Sequence, residues 1–172
     1  MTTPSASSDL IRWAAQAGYS LIPKDKSDAA VFWKDPGGEI RYYLRTSQDG
    51  TVVLTSAERN SAEQIELVGV SLLVVERYLF GLFGTAYRSA HGLPRLVTPR
   101  GAHQAASGYR VGDMDDDGYR SLSDSAGMVA QARGKLSSIS DLIMLSHLLS
   151  ASPEALTASF RSADGSPVFS AS

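Results

Sequence analysis

The apolar residues of this chain change period twice, from strand-like alternation to a helical stripe and then again. Val31-Phe32-Trp33, Ile40-Tyr42-Leu44 and Val52-Leu54 alternate or cluster at strand spacing, and Asp35-Pro36-Gly37-Gly38 and Gln48-Asp49-Gly50 between them read as hairpin turns. Ile65 and Leu67, interleaved with Glu66 and Val68, predict a fourth strand. From Ser71 the period lengthens: Leu72, Val75, Leu79, Leu82 and Phe83 make one helical stripe, and Gly84 is placed to end it. An irregular segment with Gly92, Pro94, Pro99 and Gly101 follows, and then short strands are predicted near Gly108 to Val111, Tyr119 to Leu122 and Met128 to Arg133. A helix from Ser138 or Ser140 and another from Ser152-Pro153-Glu154 close the chain, while Ser7 or Ser8 caps a first helix that Gly18 ends. Strands followed by helices, twice over, predict an α+β fold of antiparallel β-meanders packed with about four α-helices.

At 172 residues the chain has the length of one domain, expected to span 1–172 with 1–6 and 170–172 flexible. A net charge of −2 gives no general electrostatic reason to bind nucleic acid or an anionic membrane, so neither is an expected partner. Cysteine is absent, which removes disulfides, thiol catalysis and thiolate metal sites. The start, Met1 to Asp9, lacks the basic and apolar regions of a secretion signal, and the apolar run Val68 to Val75 is far shorter than the ~20 residues that span a bilayer. A cytoplasmic protein is expected, and no cofactor motif is present: there is no Walker spacing, no GxGxxG after a strand and no nucleophile elbow.

Three groups of residues could carry chemistry. Asp113, Asp115, Asp117 and Asp124, with Gly118, match the spacing of a calcium loop, but Arg120 and the strand-like Gly108 to Val111 suit a solvated hairpin tip better. Arg88, His91, Arg95, Arg100 and His103 lie in a stretch free of carboxylates from Tyr78 to Tyr109; they could attract an anion, though pairing with the chain's own Asp113 to Asp117 is favoured. His147 sits among Leu145, Leu148 and Leu149, where a satisfied, partly buried histidine is expected. Phe32-Trp33, Tyr42 and Tyr78 to Phe83 read as core, whereas alternation puts Tyr43 between Arg41 and Arg45 on the opposite strand face, a plausible protein-contact patch.

Several fragments, in this order, resemble the immunity factors that neutralise tuberculosis necrotising toxin-type NAD glycohydrolases: Trp13 with Ala17-Gly18-Tyr19, Phe32-Trp33, Gly37-Gly38-Glu39 with Arg41 and Tyr43, Glu58-Arg59, Tyr78-Leu79, Gly92-Leu93-Pro94-Arg95-Leu96, Leu145-Ser146 and Ser159-Phe160. The resemblance implies a non-catalytic antitoxin that binds its cognate toxin domain one to one and blocks the NAD site. Within that reading the region Glu58 to Val70 is the expected interface, with Glu58, Arg59, Asn60, Glu63 and Glu66 as polar contacts, Gly69 permitting close backbone approach, Val70 beside it, and Arg41 and Tyr43 nearby. A secretion chaperone or adaptor is the alternative, and a small ligand-binding module a more distant one.

Overall fold

The computed structural model describes residues 1–34, 40–59, 61–97, 99, 101–135 and 137–172. The turn at Asp35 to Gly38 and the fragment Gly37-Gly38-Glu39 lie outside the described residues, as do Asn60 and Arg100. The strands β1 (Tyr19–Ile22), β2 (Ala30–Lys34), β3 (Ile40–Thr46), β4 (Val52–Glu58), β5 (Gln64–Gly69), β6 (Arg110–Val111), β7 (Tyr119–Asp124) and β8 (Gly127–Arg133) form a single antiparallel sheet, ordered β1-β2-β3-β4-β5-β8-β7-β6. The two predicted meanders are therefore one sheet, fused where β8 pairs with β5 through Leu67↔Ala132, Val68↔Gln131 and Gly69↔Ala130. Helices α1 (Ser8–Gln16), α2 (Leu72–Ala90), α3 (Ser137–Leu149) and α4 (Pro153–Arg161) complete the α+β fold, with a short 3-10 turn at Ala102–Gln104.

Local chemistry explains most of these boundaries. Ser7 caps α1 by accepting from the Leu10 amide at 3.3 Å, and Ser152 caps α4, where Pro153 is pre-set for the first helical position. Asp49 accepts from the Thr51 amide and Gly50 adopts φ +87°, which shapes the β3–β4 hairpin. The core lies between the sheet and its helices: Leu44, Leu54, Leu67, Leu122 and Ala130 are fully buried there with Phe83, Ile143 and Leu156. Burying side chains of this size contributes roughly 1.5–3 kcal/mol each. Trp13 joins α1 to this core, donating its indole N–H to the Phe80 carbonyl at 3.0 Å and packing against Tyr87 and Phe160.

Two sequence expectations need correction. Gly84 does not end α2, which continues to Ala90; a Cβ at Gly84 would lie 2.3 Å from the Phe160 ring, so the glycine serves close packing of α4 on α2. Strand β1 is an addition, a four-residue edge that starts directly after Gly18 (φ +85°) and turns Tyr19 inward to a ring distance of 4.7 Å from Phe83. Within the chain ends, Thr2 forms an isolated backbone bridge with Thr46 and Ala171 one with Leu96.

Candidate interaction site

The residues singled out around β5 fall into four separate places. At one end, Glu58 and Arg59 form the tip between β4 and β5, where the Glu58 amide donates to Ser61 Oγ at 2.9 Å and Arg59 adopts the left-handed φ of +45°. Such a conformation costs a non-glycine residue about 1 kcal/mol. Val70 lies at the other end of β5, roughly 20 Å away at the rise of an extended strand, and is exposed together with Leu73. Between them, the strand presents its residues alternately to the two faces of the sheet.

On the helix-facing side are Glu66 and Gly69. Gly69 is buried, and a Cβ there would meet Val75 Cγ2 at 2.8 Å, so packing against the first turn of α2 accounts for this glycine without a partner. Pairing shifts by one residue between Leu54 and Thr55, and Glu66 occupies this irregularity and accepts a hydrogen bond from the Ser56 hydroxyl. Nearby, Asp141 of α3 is largely buried; desolvation, aided by the charge of Glu66, raises its carboxyl pKa to about 6. Burial also pushes the hydroxyls of Tyr42 and Tyr78 well above their usual range.

On the opposite side, no helix covers the sheet. Directly opposed residues of antiparallel strands share a face, so Ile22, Val31, Tyr43, Thr55 and Ile65 form one row across five strands. Arg45, Val53, Val68, Gln131 and Ser121 form a second, and Trp33 and Arg41 stand beside Ala57 in a third. Trp33, read from sequence as core, is thus half-exposed on this outer face; its alternation against the buried Phe32 was the signal. Arg45 reaches Glu63 with two bonds of 2.6 and 3.0 Å, and Glu63 also accepts from the Thr55 hydroxyl. This contact holds the Glu63 carboxyl below its ordinary pKa. Tyr43 lies under the Arg45 guanidinium, 5.4 Å from ring to Cζ, so the expected arrangement of tyrosine and arginines on one face is present.

The other candidates resolve into structural roles. Arg88 is buried in α2 and bonds to backbone carbonyls of Pro94, Ser159, Phe160, Ser162 and Ala163 at 2.6–3.3 Å. Carbonyls, not the Asp113 to Asp117 carboxylates, are its partners, which corrects the pairing expected from sequence. Its position inside a helix rather than in a loop is the reason. A cavity of about 560 Å³ opens beside it between Gly81, Thr85, Leu93, Met144 and Phe160, but the Arg88 guanidinium is already saturated. His91 is stacked on Tyr87 and bonded to its carbonyl, Arg95 and His103 are exposed, and His147 Nε2 lies 2.8 Å from the Gln104 carbonyl.

Strand β7 separates the acidic residues of the calcium-like spacing. Asp115 closes the β6–β7 turn, accepting from the Tyr119 amide at 2.8 Å, whereas Asp124 closes the β7–β8 turn by accepting from Ala126 and Gly127. An extended strand separates them, so Asp124 cannot complete a loop containing Asp113, Asp115 and Asp117. Among the described residues no group of three or more acidic or histidine side chains could hold a metal ion, and no helix is long and apolar enough to cross a membrane.

Comparison with known proteins agrees with this architecture over nearly its full extent. A curated relative from Mycobacterium tuberculosis (strain ATCC 25618 / H37Rv), named immunity factor for TNT, is 32% identical over 166 residues, which is 95% of this chain and 92% of the relative. Its homologue from Mycobacterium bovis (strain BCG / Pasteur 1173P2) matches to the same extent. The solved structure of Rv3902c from M. tuberculosis superposes with a TM-score of 0.85 at 31% identity, covering 97% of this chain and 95% of that one. Residues 13–168 match the model of Immunity protein 61, and the chain belongs to that immunity-protein family.

Proposed function

We propose that this protein is an antitoxin that binds a cognate NAD-hydrolysing toxin domain of the tuberculosis necrotising type in the cytoplasm, one chain to one toxin, and blocks its NAD site without catalysis of its own. The observation that carries this reading is the near full-length match to relatives named immunity factors for TNT, together with the shared fold. The architecture suits such a role: a rigid sheet presents an uncovered face and a strained hairpin tip, and both can be organised before a partner arrives. A stoichiometric inhibitor of a multiple-turnover enzyme must bind tightly, and a Kd of 1 nM corresponds to about −12 kcal/mol. Glu58, Arg59, Glu63, Glu66, Gly69, Val70, Arg41 and Tyr43 remain the proposed neighbourhood of the contact, but they cannot act as one patch, because Glu66 and Gly69 face the helices.

Titration of the toxin domain from the same genome with this protein, with NAD loss as readout, tests the reading. A sharp stop near equimolar protein is expected. Binding with unchanged NAD loss would favour an export chaperone, and absence of binding would overturn the toxin as partner.

A further inference from the structure

The helices lie on one side of the eight-stranded sheet, α4 by way of α2, and the rows on the other face contain no acidic residue. Glu63 reaches these rows, but its carboxylate is already held by Arg45 and Thr55. Arg41 is exposed and makes no ion pair among the described residues; Arg133 is exposed too and rests only over the Tyr119 ring, 5.7 Å from its centroid. The 37%-exposed Ile65 on β5 stands between the strands of these cations, Tyr43 follows Arg41 by two residues on β3 and Trp33 is paired opposite Arg41 on β2, while the shorter Val31, Thr55 and Ala57 are buried in the troughs. Trp, Tyr and Arg are the residue types that most often anchor protein interfaces.

We propose that this helix-free face is the surface on which the toxin domain docks, with toxin carboxylates meeting Arg41 and Arg133 around an apolar centre of Trp33, Tyr43 and Ile65. The assignment rests on the toxin reading above and adds which of the four places around β5 makes the contact. Size supports it: eight strands spaced ~4.8 Å apart and about six residues long cover roughly 700 Å², close to the ~800 Å² that each partner contributes to a stable interface. Charge selects the occupant. Two copies of this chain placed face to face would set guanidinium against guanidinium, whereas an acidic protein surface would complement Arg41 and Arg133, which form no ion pair among the described residues. The Arg45–Glu63 contact keeps one arginine neutralised and holds Tyr43 in place, so the open cations lie at the margins, where charge steers encounter.

Calorimetric titration of the full-length protein with the toxin domain tests this assignment, using the Arg41→Glu/Arg133→Glu double variant, Tyr43→Ala, and Arg12→Glu on the exposed helix side as the control. The face variants are expected to weaken Kd by about 100-fold or more, with the double variant losing most of the salt dependence, and Arg12→Glu is expected to stay within about twofold. Thermal midpoints are measured in parallel. Because Arg41 and Arg133 are exposed, the double variant keeps the test valid if Tyr43→Ala loosens the fold. Full-strength binding by a folded double variant overturns the docking assignment and leaves the toxin reading intact. Failure of the unaltered protein to bind overturns both.

Discussion

The ring of Phe160 lies directly over Gly84, close enough that a single added methyl would sit 2.3 Å from its Cδ1. Neither can move easily, since Phe160 also packs on Trp13 and Phe169. Gly84→Ala is therefore expected to destabilise the protein by about 1–3 kcal/mol despite the better helix propensity of alanine. Chemical denaturation measures it. A stability gain would mean that Phe160 has room to retreat and that the glycine is not required there.

Arg88 binds together three parts of the chain, and removing its guanidinium takes the donor from the buried Phe160 carbonyl and from the part-buried Pro94 and Ala163 carbonyls. Arg88→Ala is expected to lower stability by about 3 kcal/mol or more, which for a protein of this length is a fall in Tm of roughly 10 °C. Arg88→Lys should recover only part of the loss, because an ammonium cannot span acceptors arranged around a planar fork. Equal stability of the lysine variant and the unaltered protein would contradict this role.

Asp141 gives the fold a defined dependence on pH. Its carboxyl titrates near 6 when folded and near 3.8 as the ordinary reference, because burial and the neighbouring Glu66 oppose ionisation, with Tyr42 and Tyr78 facing the same region. The folded state therefore binds more protons than the unfolded state across this window, and stability falls as pH rises from about 4 to 6, by at most about 3 kcal/mol. Asp141→Asn should raise Tm at pH 7 to 8 and have little effect near pH 4. An equal shift at both pH values would place the effect in packing and not in charge.

Arg59 holds a left-handed conformation at the β4–β5 tip, at a cost that glycine does not bear. Arg59→Gly is expected to recover about 0.5–1 kcal/mol of this strain, read as a small rise in Tm. A fall in stability instead would show that the contacts of the arginine side chain outweigh the strain. Affinity for the toxin measured on the same variant then tells whether the tip is part of the contact.

Calcium or a chelator is expected to leave Tm unchanged, since a ligand that binds the folded state at 100 times its Kd would add about 2.7 kcal/mol. A calcium-dependent rise would contradict the separation of Asp115 from Asp124 by β7.

Alternation and capping made the α+β class and most element positions readable, because Ser7, Gly18, Asp49-Gly50 and Ser152-Pro153 act locally. What escaped depended on distant partners. Gly84 reads as a helix stop until Phe160 is seen against it, and Arg88 reads as part of a charged loop until its carbonyl acceptors are brought in from a segment some 70 residues away. The calcium spacing is less suited to the sequence than a hairpin tip, but ligand order alone says nothing about the extended strand that separates Asp115 from Asp124. Around β5, nearness along the chain groups Glu58 to Val70 as one region, whereas the bulge opposite Leu54 and Thr55 puts both Glu66 and Gly69 on the helix side and Ile65 on the other. Trp33 was misplaced for a different reason: its neighbour Phe32 is core, and two adjacent aromatic residues in one strand cannot both point the same way.

The seam between β5 and β8 also sets an order of events on the ribosome. When the first 70 residues have emerged, β1 to β5 can pair among themselves, but the row through Arg45, Val53 and Val68 still lacks Gln131 and Ser121. Those two arrive some 50 to 60 residues later, and the Arg88 acceptors of residues 159–163 later still. A product truncated before β8 would carry the first strands of the sheet without the neighbour that covers the edge of β5, so the complete surface exists only once β8 has been made.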